Sequence, residues 1–353
     1  MPHPSGGDVQ LYIARTNYAG QGYRWARAAE RIPNVTGANL TLLMGEARFP
    51  SDFAVPYVVS EISRQWQRKH FESVASGFSN VLIEACAPMF GPLFGGDVRR
   101  EIKALQERGV RVGMISHGSE VRLPSRHREA HAFSPFHVMA PERVELMERV
   151  AQNKLALLKD LGLPCFVSTP ALLIEQPDAT WLPVAIDTEV WASERIPLVR
   201  EVPVVVHAPS REVMKRSDLI DEALMNLHEQ GAITYRRITG VPNSEMPSVL
   251  AGADVLVDAV GTGNYGVAAC EGMASGCVVV SYIDSQVADF VSHETGRDLP
   301  IVHTEPNEVS DTILRIIDDR PRYQALAAAG LPFVTEIHDG ARSAESLRKF
   351  LNR

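Results

Sequence analysis

Short β-rich apolar runs alternate with amphipathic stretches along the whole chain, and that alternation restricts the fold more than any other feature. It specifies an α/β architecture with parallel sheets, because each parallel strand needs a long crossover before the next. In the first half, strands are expected at Val9–Ala14, Leu40–Gly45, Asn80–Ala85, Arg111–His117 and Cys165–Ser168, with a sixth through Trp181–Ile186. Helices are expected at Gly22–Arg31, Pro56–Ser73, Asp97–Arg108 and Pro141–Leu161. The second half repeats the style, with strands at Pro203–Ala208, Ile233–Arg237, Val255–Asp258, Val278–Tyr282 and Ile301–His303 and helices at Ser217–Glu229, Tyr265–Ala274 and Glu308–Asp318. The length of 353 residues corresponds to about two domains. The expected architecture is two Rossmann-like βαβ domains facing a central cleft, 1–190 and 191–337, with a last segment 338–353 whose helix is free to cross back to the first domain. Sheets of this kind bind ligands at the carboxyl ends of their strands.

Composition closes other routes. Apolar residues make up 45% and charged residues 22%, which supports a folded globular core. The net charge of −8 argues against a sequence-blind nucleic-acid binder, which needs a basic surface. No apolar run reaches the length of a membrane-spanning helix, and the polar start Met1-Pro2-His3-Pro4-Ser5 lacks a signal-peptide pattern, so a cytoplasmic protein is expected. Cys86, Cys165, Cys270 and Cys277 are widely spaced in apolar surroundings and read as small hydrophobes rather than disulfides or zinc ligands.

Four loops at expected strand ends carry polar chemistry. Asn17-Tyr18-Ala19-Gly20-Gln21-Gly22 opens a helix, where Gly20 and Gly22 let backbone N–H groups approach an anion. Trp25 stands where a dinucleotide fingerprint needs a small residue, so a nicotinamide cofactor is disfavoured, and a ligand-free tight turn is the competing reading. Ser116-His117-Gly118-Ser119-Glu120 places His117 at a strand end, either facing a cleft or as a satisfied core histidine. The basic run Arg122, Arg126, His127, Arg128 downstream reads equally as a phosphate contact or a solvated face. In His207-Ala208-Pro209-Ser210-Arg211-Glu212-Val213-Met214-Lys215, Arg211 and Lys215 have the spacing to clamp a diphosphate, with surface charge as the alternative. The fourth loop, Gly261-Thr262-Gly263-Asn264-Tyr265-Gly266, opens a helix suited to holding phosphate. Glu271 lies in that apolar helix and needs a partner, either a ligand's hydroxyl pair or an internal salt bridge.

These pieces, in this order, resemble a GT-B glycosyltransferase of the retaining family-4 type. The resemblance spans nearly the whole chain and is strongest from Val204 to Tyr282, where Glu271-Gly272-Met273-Ala274-Ser275-Gly276 resembles the family's Glu-Ala-Met-Ala-Ser/Cys-Gly signature running into a strand. His207-Ala208-Pro209-Ser210, Gly240-Val241-Pro242-Asn243, the His117-Gly118 element and Trp181-Leu182-Pro183-Val184-Ala185-Ile186-Asp187 are similar to further family segments. The resemblance implies a nucleotide-diphosphate sugar as substrate, no metal and no other cofactor. It implies that Glu271 grips the ribose hydroxyls, and that Arg211 and Lys215 neutralise the diphosphate with backbone N–H groups near Asn264, Tyr265 and Gly266. Gly20 and Gly22 would close over phosphates or sugar, and His117 would donate a hydrogen bond to the transferred sugar. In such enzymes the leaving phosphate helps deprotonate the acceptor, and cations and helix dipoles stabilise it.

One departure stands out. The family carries a second glutamate eight residues before the ribose glutamate, and here that position is Gly263. A catalytically silent GT-B module that binds a nucleotide sugar is therefore the alternative to a retaining transferase, and nucleotide-sugar epimerisation ranks below both. The acceptor (saccharide, lipid-linked or small molecule) is not specified. Gln65-Trp66-Gln67-Arg68-Lys69-His70-Phe71 mixes aromatic and basic residues as peripheral membrane segments do, with an ordinary amphipathic surface helix as the competing reading.

Overall fold

The computed structural model describes residues 1–4, 6–44 and 49–352. Gly45 at the expected end of the second strand, Ser5 of the polar start and Arg353 of the last segment lie outside them. Contacts divide the chain into two compact units: residues 1–123, 147–185 and 340–353 form the first, and 124–146 with 186–339 form the second. The expected domain limits at 190 and 338 thus sit at 185 and 340, and 124–146 groups with the second unit.

The first unit holds seven strands: β1 Val9–Arg15, β2 Val35–Leu43, β3 Phe53–Pro56, β4 Asn80–Glu84, β5 Arg111–Ser116, β6 Cys165–Val167 and β7 Thr180–Trp181. All pair in parallel in the order β3-β2-β1-β4-β5-β6-β7. The strand order turns back between β1 and β4, the place where such sheets open a crevice at their carboxyl edge. Successive side chains of a strand point to opposite faces. Leu11 and Ile13 therefore join Trp25, Leu82, Phe166, Leu347 and Phe350 in one core. Tyr12 and Ala14 join Phe71, Val74, Val81, Ile83, Ile102 and Leu105 in the other.

The helix Ala341–Leu351 belongs to the first of these cores. Ser343 Oγ donates to Pro183 O (2.8 Å), Asn80 Nδ2 donates to Phe350 O (3.0 Å), and the Phe350 ring meets Phe166 edge-on at 5.9 Å. Sequence and structure differ here in several places: β3 is additional, β2 begins at Val35 rather than Leu40, and two further differences have plain reasons. The expected helix Pro56–Ser73 is two helices, Tyr57–Ile62 and Arg64–Gly77, because Ser63 turns extended and its Oγ accepts Trp66 N–H (3.3 Å) as a cap. The expected strand Trp181–Ile186 stops at Trp181, since Pro183 has no N–H to offer a ladder.

The second unit holds β8 Val204–His207, β9 Thr234–Arg237, β10 Val255–Val257, β11 Val278–Ser281 and β12 Val302–His303. They are parallel in the order β12-β11-β10-β8-β9, so this order turns between β8 and β10. Its core joins Val205, Val257, Val278 and Val280 to Ile220, Leu224 and Leu227 of the helix Ser217–Glu229 and to Ile313 and Ile316 of the helix Val309–Asp318. Helices at Pro124–Ala130, Ser285–Thr295, Arg320–Ala328 and Gly330–Ile337 add to the expected set. No helix among the described residues is long and apolar enough to cross a membrane.

The last helix is a structural element of the first unit, so Phe350→Ala should lower unfolding stability by about 3–5 kcal/mol in urea titration. A loss under about 1 kcal/mol contradicts that packing.

Candidate functional site

In the second unit, the turn in strand order brings together the segments after β8 and β10. Asp258, buried directly after β10, accepts from Lys215 Nζ at 2.6 Å. The same ammonium donates to Ala208 O at 3.2 Å, which leaves one of its three donors uncommitted by these bonds. Val260 N–H donates to Lys215 O (3.0 Å), stitching the two segments. Gly261 permits this approach, since a Cβ there would stand 2.4 Å from Met214 O. Arg211 stays exposed at the start of the short helix Glu212–Lys215, so Lys215 is the cation that the fold turns inward.

The Gly261–Gly266 loop leads into the helix Val267–Ala274. The first N–H groups of a helix have no partner within it, and a β-carbon at Gly266 would meet nothing within 4 Å, so the approach is open. Asn264 Oδ1 is buried without a hydrogen-bond partner, a cost that a donor from a ligand would relieve. The Tyr265 side chain is buried, with its hydroxyl 3.3 Å from His338 Nε2, which leaves only its backbone for a ligand. Glu271 is half-buried in the second turn of the helix. Burial pushes the neighbouring Cys270 thiol well above its ordinary pKa, which makes it a packing residue and not a nucleophile.

Gly263 has φ +63, and its missing side chain would lie 3.2 Å from both His131 Cε1 and Asp284 Cβ. His131 Nδ1 is 3.0 Å from Tyr282 Oη, and its Nε2 lies 3.8 Å from Asp284 Oδ2. The imidazole thus fills the space beside the loop where a longer residue at 263 would project. His207 is structural: its two ring nitrogens meet Val257 O and Ser217 Oγ, each at 2.8 Å, and burial lowers its pKa to about 4.

In the first unit, the carboxyl edge between β1 and β4 is organised by Glu84, a fully buried carboxylate that sequence reasoning did not single out. It accepts from Thr16 N (2.8 Å) and Asn17 N (3.0 Å), and His117 Nε2 lies 3.1 Å from its Oε1. His117 is 8% exposed, stacks on Trp25 at 5.6 Å and meets Tyr18 edge-on at 5.1 Å. Glu120 fixes the turn after it by accepting the His117 and Gly118 N–H groups.

Gly20 and Gly22 serve this packing. Gly20 adopts φ +74, and its N–H is spent on Asn17 O at 3.0 Å rather than held open for an anion. Gly22 lies inside the helix Gln21–Ala29, where a Cβ would crowd Asn17 Oδ1, Asn39 Nδ2 and Glu84 Oε1 at 3.3–3.5 Å. Trp25 occupies the third fingerprint position and donates to Pro183 O at 2.8 Å. Of the basic run, Arg122 and His127 are buried while Arg126 and Arg128 are exposed, so the four do not form one anion-facing cluster.

No protein-family profile and no curated protein matches the sequence. Solved structures match it over nearly its whole length. A sucrose-phosphate synthase from Thermosynechococcus elongatus superposes with a TM-score of 0.62 at 11% identity, covering 97% of this chain and 98% of that one. HepE from Anabaena, in complex with UDP-glucose, gives 0.57 at 12% identity, covering 97% and 99%. A glycosyltransferase from Rickettsia africae gives 0.56 at 11% identity, covering 97% of each. At such identities the likeness establishes architecture: the chain has the α/β GT-B fold, as its sequence pattern implies.

Two outcomes test the positioning described here. Glu84→Ala orphans two backbone donors and should cost about 3 kcal/mol in urea titration, with Glu84→Gln losing less; unchanged stability for the alanine variant contradicts the assignment. His207 has a folded pKa below its unfolded value of 6.5. Its contribution to stability is therefore complete above pH 6.5 and lost as pH falls toward about 4, with a slope of up to about 1.4 kcal/mol per pH unit. His207→Gln should flatten the pH–stability curve in that window, and an unchanged slope contradicts the buried neutral state.

Proposed function

We propose that the protein is a glycosyltransferase that takes a nucleotide-diphosphate sugar and transfers the sugar with retention of configuration, without a metal. The observation that carries this reading is the second unit's carboxyl edge. An inward-turned lysine, an open helix N-terminus and a half-buried glutamate on that helix follow one another around the turn in strand order. A diphosphate is the ligand that uses both a cation and unpartnered helix N–H groups, and a ribose diol is a suitable partner for a carboxylate. HepE, a protein of the same fold, holds UDP-glucose, which makes a uridine diphosphate sugar the first donor to test.

In this reading Lys215 and the N–H groups near Asn264, Tyr265 and Gly266 stabilise charge developing on the departing diphosphate, and Glu271 holds the ribose. Asp258 holds the Lys215 ammonium in place at 2.6 Å. Arg211, exposed at its helix start, joins when a ligand is bound. His117, held by Glu84 through its Nε2, sits beside the transferred sugar in this reading. Gly263 favours a second reading, a nucleotide-sugar-binding module without turnover, because that position supplies no carboxylate.

Thermal unfolding with UDP, GDP, ADP and dTDP and their sugars tests the binding half. A ligand at about 100 times its Kd stabilises by roughly 2.7 kcal/mol. One nucleotide should stand out in the wild type and fail in Glu271→Ala, and no response to any of them sinks the reading. Turnover of the bound donor, reduced at least about 100-fold by Lys215→Ala, separates the transferase from the silent module. An axial or equatorial anomer matching the donor's, read by NMR of the product, tests retention.

A further inference from the structure

One face of the first unit takes no part in the chemistry above. At the edge of its sheet, β3 ends at Pro56 and runs directly into the helix Tyr57–Ile62. That helix buries only Ser60, and Tyr57, Val58, Val59 and Ile62 are bare, Val58 at 62% and Ile62 at 74% exposure. Leu43 of β2 pairs in register with Pro56, so Met44, 87% exposed, leaves the sheet at the same edge. Bare apolar side chains gathered this closely mark an interaction surface.

The helix is held in place. Arg15 Nη1 donates to Glu61 Oε1 (2.8 Å) and Ser60 Oγ (3.3 Å), and Gln67 Nε2 donates to Ser60 O (2.9 Å) and Glu61 O (3.1 Å). Its apolar side chains are therefore presented by a fixed support. The following helix turns Gln67, His70, Phe71, Val74 and Ala75 inward, and Trp66 packs on His70 at 4.6 Å. The aromatic residues of 65–71 thus serve the core and not the surface.

Charge at this face is locally reversed. Between residues 57 and 72, Glu61 is paired with Arg15 and Glu72 with Arg108 at 3.1 Å. Arg64, Arg68 and Lys69 are exposed and have no ion-pair partner among the described residues. A chain of net charge −8 therefore carries, beside these exposed aliphatic side chains, three cations without an ion-pair partner among the described residues.

We propose that this face docks the protein onto an anionic lipid surface. Met44, Tyr57, Val58, Val59 and Ile62 enter the interfacial layer, and Arg64, Arg68 and Lys69 pair with lipid phosphates. Exposed aliphatic side chains beside cations without ion-pair partners are the combination that an anionic, fluid apolar layer takes up. The inference goes beyond the proposed glycosyl transfer and does not rest on it.

Flotation of the full chain with phosphatidylcholine vesicles, with and without phosphatidylglycerol, tests it. The protein should float with the anionic vesicles and not with the neutral ones. Each cation near such a surface is worth about fivefold in binding, so the charge-reversing triple variant Arg64→Glu, Arg68→Glu, Lys69→Glu should bind at least about 100-fold more weakly. Val58→Ser with Ile62→Ser should weaken binding at least about tenfold. Both variants should keep the wild-type unfolding temperature, because every substituted side chain is exposed. Failure to float with anionic vesicles, or flotation insensitive to both variants, overturns the proposal. So does a lipid-free dimer of the wild type that Ile62→Ser converts to monomer, which assigns the face to a second copy.

Discussion

A buried carboxylate at the end of one strand organises each candidate site, and the rest of the local structure depends on it. In both sheets the strand order turns back once, and at the strand just after the turn an acid closes β4 and another follows β10 directly. Glu84 gathers the backbone donors of Thr16 and Asn17 and the ring of His117. Asp258 gathers the ammonium of Lys215. In each case the acid holds the segment that follows the unit's first strand, β1 or β8. A charge buried without partners is costly, so each carboxylate fixes the loop that satisfies it.

This arrangement explains where glycine is needed. Gly22 clears room for the side chains around Glu84, and Gly261 lets the segment after β10 meet the backbone of Met214. Gly263 is different: it has a positive φ, and a Cβ there would stand 3.2 Å from both His131 and Asp284, where residues 124–146, which carry His131, group with the second unit. A substitution at 263 therefore tests packing as well as chemistry.

The strands were legible because each is a short apolar run with clear borders, and those of the second sheet match within one residue at either end. β3 was not, because Phe53-Ala54-Val55-Pro56 is four residues long and ends in proline, which reads as a loop. The helix break at Ser63 was equally hidden: a serine inside a helical pattern signals a cap only once its N–H partner is known. Among site residues, Lys215 and Glu271 carried local signals. Glu84 carried one that is easy to pass over, a lone acid closing the apolar run Val81-Leu82-Ile83. The roles of Asp258 and His131 depend on contacts across 43 and 151 residues of sequence, which no local pattern encodes.

The proposed function requires a nucleotide diphosphate to seat on the second unit between Lys215 and the helix that begins at Val267. Amide hydrogen exchange measured with and without UDP tests it most directly, because it reports where the ligand sits and needs no acceptor. Slowed exchange confined chiefly to residues 208–216 and 261–271 is the expected result. Unchanged exchange in both segments, with protection elsewhere in the chain, contradicts it.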